Sequence, residues 1–416
     1  MRRPHIGQGS NSANVRRYNE RLLLQALRRA GHASKANLAR LANLTGTAVG
    51  SIVTSLAEAR LIEFTGRRVE GQRGQPASLI RLHPRGAFGI GVRLDRTSIE
   101  TVLVNFAGEV LGRKRHDRVL PHPAEVLEIV ERDSRELLQW LAPDERKRLS
   151  GVGVAQPYNL DSWLRELGLP AETFSAWGDI DFASELGRAL SLPVFSENDG
   201  NAAAIAELFY GCGRERDDFL YVFLGPAIGG GIAIDGDCLC GSGGNAGDFG
   251  VMPVPLSRLP SAPRPAGKWD ILLSRASLNA LARHLRYRGE SIDNRANLED
   301  CLARRLPAVD EWIEDCIDAL APAVRAALCM LDAPLVVFDA DVDAGLVDTL
   351  IKRLSAALAD STPEARSTPE IVRGTFGSDA GAIGAATLPM FFNFSPRAGI
   401  LKGADAQLQE VNHVSL

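Results

Sequence analysis

The chain changes character at residues 83–87, HPRGA, and that break constrains its architecture more than any other feature. Residues 1–86 carry 15 Lys or Arg against 4 Asp or Glu, whereas the remainder carries 32 basic and 47 acidic residues. A small basic segment joined to a large acidic body points to a polyanion partner for the segment alone. At 416 residues the chain is also too long for one ordinary domain. The expected organisation is a small domain over 1–86, a first α/β lobe over 87–198 completed by a C-terminal helix over 378–395, a second α/β lobe over 199–377, and a tail over 396–416.

Apolar residues at 45% and charged residues at 24% exclude a wholly disordered or fibrous chain. No run of about 18 apolar residues occurs, so no membrane-spanning helix and no membrane partner are expected. The opening MRRPHIGQGS leads into no apolar stretch, which makes the cytoplasm the expected compartment. Six cysteines in this length do not make a disulfide scaffold, and Cys238 and Cys240 alone are a weak metal signal. Cys301, Cys316 and Cys329 read as buried fillers, and His83, His116, His122 and His284 as residues without catalytic partners.

Within 1–86 the pattern predicts three helices followed by two strands. Val15–Gly31 places Val15, Leu22, Leu23, Ala26 and Leu27 on one face. Ser34 caps a short helix through Leu41, and Thr45 caps a third in which Val49, Ile52, Val53 and Leu56 face a core. Strands follow over Leu61–Thr65 and Ala77–Leu82, with GRRVEGQRGQP (66–76) between them as a basic hairpin tip. This is the pattern of a winged helix-turn-helix. Its third helix suits the major groove of a double-stranded DNA operator and exposes Thr45, Thr47 and Ser51. Arg67, Arg68 and Arg73 on the wing and Arg16 and Arg17 on the first helix are the expected phosphate contacts. A protein-interaction winged helix with solvated arginines is the alternative the residues leave open.

Beyond the break, strands and helices mix. Strands are expected at 87–96, 98–117 (with a turn at Ala107–Gly108), 149–155, 192–196, 219–225 and 335–340. Helices are expected at 124–141, 201–211, across 269–330 with an interruption near Asn294, and at 378–392. An Asn–Asp pair, Asn198–Asp199, sits just past a strand, where such side chains either cap the following helix or hydrogen-bond vicinal hydroxyls.

Several phrases carry a family resemblance. They are VRRYN (15–19), the stretch 34–62 and GQRGQPASLIRL (71–82) in the basic segment, then 175–211, 222–250 and TFGSDAGAIGAATLP (375–389) in the body. Together they resemble the transcriptional-regulator branch of the ROK family (repressors, open reading frames, kinases). The resemblance implies an N-terminal winged helix-turn-helix followed by a two-lobed ribonuclease-H-like, actin-like ROK domain.

What the resemblance implies chemically divides in two. The sugar side is kept: Asn198 and Asp199 stand where the family holds and deprotonates a sugar hydroxyl, and Asp248 in GNAGDFG (244–250) replaces the usual Glu. The nucleotide side departs. Where the family has D-x-G-G-T, this chain has Arg93, Leu94 and Asp95. The second loop reads GPAIGGG (225–231), in which Pro226 lacks both a hydroxyl and an N–H. A later glycine pair reads Asp339–Ala340. The His and three Cys of the family's structural zinc site are also missing, with Val251 in the His position, so no metal and no cofactor are expected. Trp163 and Trp177 lie in the region that lines the family's sugar cleft. These features predict a non-enzymatic DNA-binding repressor of sugar or polyol metabolism genes, acting as a homodimer or tetramer. A small sugar, sugar phosphate or polyol in the interlobe cleft would release it. The competing expectations are a sugar kinase with an appended DNA-binding domain and a ligand-independent DNA-binding dimer.

Overall fold

The computed structural model describes residues 11–68, 77–164, 169, 171–178, 180–362 and 367–401. Its N-terminal module contains α1 (Ser12–Ala30), α2 (Lys35–Ala42) and α3 (Gly46–Glu58). Each starts at a side-chain cap: Asn11, Ser34 and Thr45 accept from the amide three residues on. Gly31 at φ 72 and Asn43 at φ 51 supply the left-handed turns that end α1 and α2. Leu23, Leu24, Leu27, Leu38, Val49, Ile52, Val53 and Leu56 fill the core. Val15, expected in that stripe, is instead 40% exposed, because the first turn of α1 extends past the core.

β1 (Ile62–Arg68) pairs antiparallel with β2 (Ala77–Leu82), and Ala33 bridges to Ile80. β1 is longer than its composition suggests. Gly66, at φ 125, lies in an irregularity between Phe64 and Arg67 that lets pairing resume. Arg67 and Arg68 therefore stand on the strand, opposite Ser78 and Ala77, and not at the hairpin tip. Arg73 lies outside the described residues.

The body repeats one strand order. The first sheet runs β5 (Val110–Asp117), β4 (Ser98–Asn105), β3 (Phe88–Asp95), β6 (Leu149–Gln156), β7 (Val194–Asn198). The second runs β10 (Asp237–Cys238), β9 (Ile228–Ile234), β8 (Phe219–Leu224), β13 (Leu335–Ala340), β14 (Glu370–Arg373), while β11 (Pro253–Val254) and β12 (Asp270–Ile271) pair separately. In each sheet the first strand in sequence pairs antiparallel with the second and parallel with the fourth. Such mixed sheets with crossover helices are the ribonuclease-H-like pattern expected from the sequence.

The longer helices of the body are α4 (Pro123–Leu138), α5 (Phe182–Leu190), α6 (Asp199–Phe209), α7 (Leu278–Tyr287), α8 (Arg295–Ala303), α9 (Pro307–Leu331), α10 (Ala344–Asp360) and α11 (Ala380–Phe394). α5, α10, β9 and β14 fall where the sequence pattern assigns no element. β9 is the instructive case, since its Gly229–Gly231 run reads as a loop. A Cβ on Gly230 would collide with the Tyr221 carbonyl oxygen and one on Gly231 would lie 2.6 Å from the Ala204 Cβ, so bare backbone is what lets this strand pack.

The chain forms two compact units. One takes the N-terminal module and the body through Ala155, returns for Asp181–Ser196 and resumes at Ala385; the other takes Gln156–Ile180 and Glu197–Gly384. In the first unit α11 lies against β3 and β6, where Cβ atoms on Gly89 and Gly153 would collide with the Ala386 and Ala385 carbonyl oxygens. In the second, Trp312 and the α7, α9 and α10 leucines build the core beside β8 and β13. No helix among the described residues is long and apolar enough to cross a membrane.

Candidate functional site

On the N-terminal module, Thr45, Thr47, Ser51 and Thr54 are all exposed, opposite the buried Val49, Ile52, Val53 and Leu56. Thr45 Oγ1 accepts from the Ala48 amide, so this hydroxyl is committed to capping α3. The Thr54 hydroxyl donates to the Gly50 carbonyl, while Thr47 and Ser51 lie on the same exposed face at helical spacing. Arg16 is exposed on α1 and pairs with Glu20 at 3.1 Å; Arg17 is half-buried. Two other arginines of the basic module turn inward. Arg21 is 6% exposed, and the Arg28 guanidinium sits 5.4 Å over the Phe106 ring.

A second cluster forms in the second compact unit at the start of α6. Asn198 is the N-cap: its Oδ1 accepts from the Gly200 amide at 2.8 Å. That bond fixes the amide plane and aims Nδ2 at Asn245 Oδ1, 3.1 Å away. Asn245 Nδ2 in turn donates to Asp248 Oδ2 at 2.9 Å. A three-residue relay thus joins Asn198 to Asp248 across the 241–248 loop. Asp199 follows the cap, half-buried, with Oδ1 2.9 Å from the Gly200 amide. Glu197 receives the Asn201 amide at 3.4 Å and the Cys240 thiol at 3.4 Å. The α6 start presses on β9 so closely that a Cβ on Gly200 would collide with the Gly230 carbonyl. Gly247, at φ 86, carries the loop past the same carbonyl.

The sequence-predicted residues Asn198, Asp199 and Asp248 are therefore brought together, and Asn245 and Glu197 join them. Asn245 was legible only as a polar residue between small ones within GNAGDFG. No Lys or Arg occurs in 197–201 or in 228–248, so the cluster offers carboxylates and amides alone. Tyr158 is 50% exposed, and its hydroxyl lies 3.8 Å from where a Cβ on Gly243 would sit. Trp177 is buried, whereas Trp163 is 36% exposed and holds a left-handed φ of 61.

The loops read as phosphate sites have their own geometry. β3 continues straight through Arg93, Leu94 and Asp95 into a tight turn to Ser98. Leu94 is 1% exposed and packs inward. Arg93 and Asp95 approach each other at 3.6 Å. In the β8–β9 turn, the amides of Leu278 and Asn279 donate to the carbonyls of Gly225 and Pro226. Asp339 is buried at 1% exposure, and its carboxylate accepts from the Ala340 and Gly377 amides and the Tyr221 hydroxyl. Burial, reinforced by nearby Glu207, pushes its pKa up to about 6.

The proline-rich loop 252–268 is fastened by polar groups. Arg275 is 1% exposed and reaches the Pro255 carbonyl, Asp315 and Asp318. Ser257 bonds Asp315, and Arg283 bonds the Ser261 carbonyl. His284 has structural partners: Ser261 Oγ at Nδ1 and Glu311 at Nε2, each 2.8 Å away. Its ring is fully buried, so this chain of three groups pins the loop to α7 and α9. Cys301 and Cys316 are buried as expected, but Cys329 is exposed.

The ROK family pattern matches residues 89–390, which span both sheets and the Asn198 cluster. The chain belongs to the ROK family. Among similar proteins, a full-length relative is protein y4fQ of Sinorhizobium fredii (strain NBRC 101917 / NGR234), 29% identical over 94% of this chain and 95% of its own. The xylose repressor of Bacillus subtilis (strain 168) is 25% identical over 69% of this chain and 74% of the repressor. The crystal structure of a ROK family transcriptional regulator, a homologue of the E. coli MLC protein, covers 95% of this chain and 99% of its own at 21% identity and a TM-score of 0.68. That coverage takes in the N-terminal module as well as the ROK body. Proteins similar to this ROK chain include both repressors and sugar kinases.

Proposed function

We propose that this ROK protein is a DNA-binding transcriptional regulator, a repressor of sugar or polyol metabolism genes released by a small polyhydroxylated effector. The observation that carries the reading is α3, which turns Thr47, Ser51 and Thr54 to solvent on a module with a large excess of basic residues. A homodimer, or a tetramer built from such dimers, sets two of these helices on a palindromic operator. The likeness to the xylose repressor supports the same class.

The effector is held by Asn198, Asn245, Asp199 and Asp248. Amides oriented through the relay donate to hydroxyls, and carboxylates accept from them. With Glu197, Asp199 and Asp248 close together and no cation in the neighbouring segments, a neutral sugar or polyol fits and a sugar phosphate is repelled. Release requires that the effector bind the two conformations unequally.

The second reading, a sugar kinase with an appended reader, is favoured by Asp199, an acidic residue directly after the Asn198 cap and half-buried at the start of α6. Against it stand Pro226, which supplies no N–H to a phosphate, and Asp339, which places a carboxylate where a backbone approach is needed. The test is a thermal-shift screen of neutral sugars, polyols and their phosphates, followed by duplex binding with and without the hits and by a sugar-dependent ATPase assay. Stabilisation by a neutral sugar that weakens duplex binding at least tenfold, without ATP turnover, is expected. Steady ATP turnover with sugar phosphorylation overturns the reading.

A further inference from the structure

We propose that α11 transmits the state of the Asn198 cluster to the DNA-reading module, and that Arg21 is the positioning residue that engages it. The inference deepens the proposed function and rests on it for its biological meaning, but its physical content stands on contacts within each compact unit.

α11 is a continuous helix of 15 residues, roughly 22 Å long at 1.5 Å per residue. At its start it packs on α6, the helix capped by Asn198. A Cβ on Gly384 would stand 2.6 Å from the Ala202 carbonyl, so the two backbones touch with no side chain between them. Bare backbone contact leaves no soft side chain to absorb a shift of α6. The start is also anchored by a buried acid pair. Asp339 accepts from the Gly377 amide, and Glu207, on α6 itself, accepts from Thr375 Oγ1 at 3.0 Å.

At the other end, the last turn of α11 leaves carbonyls without helical partners. Arg21 of α1 supplies the missing donor: its Nη1 reaches the Phe392 carbonyl at 3.0 Å and the Ser395 carbonyl at 3.4 Å. A buried cation at a helix C-terminus is electrostatically favoured, and one nitrogen of the guanidinium, Nη1, serves both carbonyls. The Phe392 ring stacks on Phe195 of β7 at 5.4 Å, three residues before Asn198. Strand β7 and helix α6 therefore lead from the Asn198 cap to α11 by two routes, and Arg21 joins α11 to the first helix of the reader. Surface arginines of the same module, such as Arg60, make no such link: Arg60 pairs with exposed Asp144.

The experiment is hydrogen–deuterium exchange on the full chain in a double-mutant cycle. Asn198→Ala loosens the α6 cap, and Arg21→Lys keeps the charge but replaces the rigid planar guanidinium with a shorter ammonium on a flexible stem. Asn198→Ala is expected to raise amide exchange in α1 about fivefold when Arg21 is present and less than twofold in the Arg21→Lys background. Asn198→Gly and Arg21→Met serve if either first variant fails to fold, and Arg60→Ala is the control that leaves the coupling intact. A purely structural Arg21 would loosen α1 by itself without altering the effect of Asn198→Ala. No response of α1 to Asn198→Ala, or the same response in both backgrounds, overturns the proposal. The cycle needs neither effector nor operator. If it shows the coupling while D-xylose and D-glucose leave duplex affinity unchanged, the effector reading fails and the transmission stands. If a sugar weakens duplex binding equally in wild type and Arg21→Lys, the transmission fails and the effector reading stands.

Discussion

Asp339 makes the stability of the second compact unit depend on pH with a sign opposite to that of an ordinary paired carboxylate. Burial first, then repulsion from Glu207, raises its pKa from 3.8 to about 6, although the Ala340 and Gly377 amides and the Tyr221 hydroxyl pull the other way. The folded chain therefore holds this proton more tightly than the unfolded chain does. The extra stability is fully present below about pH 4 and is lost as pH rises through about 6. A shift of about two units, at ~1.36 kcal/mol per unit, amounts to about 3 kcal/mol. Asp339→Asn removes the titration while keeping the shape. Its own cost, an amide facing the Gly377 N–H, is about 1–3 kcal/mol but does not vary with pH. The assay is urea unfolding of wild type and variant at pH 4.0, 5.0, 6.0 and 7.5, read by exchange of the slowest β8 and β13 amides. Wild-type stability minus variant stability should fall by about 3 kcal/mol from the lowest to the highest pH, with most of the change between about pH 4 and 6. A difference that stays flat, or rises with pH, refutes the reasoning about burial.

Other outcomes follow from single contacts. Asp199→Ala should weaken neutral-sugar binding at least tenfold while apo duplex binding changes less than twofold; an unchanged sugar response, measured by thermal shift, removes Asp199 from the effector site. Arg68→Ala should lower the salt slope of duplex binding by about one, and an unchanged slope argues against a phosphate contact. Gly200→Ala drives a Cβ into the Gly230 carbonyl and should destabilise by about 3 kcal/mol in urea melts, whereas Gly50→Ala, with open space around it, should cost little. Arg275→Met strands Asp315 in a nearly dry site and should cost about 3–5 kcal/mol, with enhanced proteolysis of the 252–268 loop as the readout.

The asymmetry of charge, the helical periods and the capping residues Ser34 and Thr45 were local facts, and the sequence alone determined from them a basic winged helix on an acidic α/β body. Asn198 and Asp199 were also legible, as an Asn–Asp pair just past a strand, whereas Asp248 was legible only through the family resemblance of GNAGDFG. Their union was not: it needs Asn245 to bridge 47 residues of chain, and nothing in local composition reports a hydrogen bond at that separation. The same limit explains Arg21 and His284. Charge counting treats every arginine in a basic segment as solvent-facing, and only packing against the end of a distant helix turns Arg21 inward. An isolated histidine likewise gains Ser261 and Glu311 only when α7 and α9 come together. The glycines of β9 misled because their purpose, close backbone packing under α6, exists only in three dimensions. Sequence thus fixed which groups were available. Tertiary structure decided which of them meet, because burial and hydrogen bonding across long chain separations are properties of the folded surface and not of any segment.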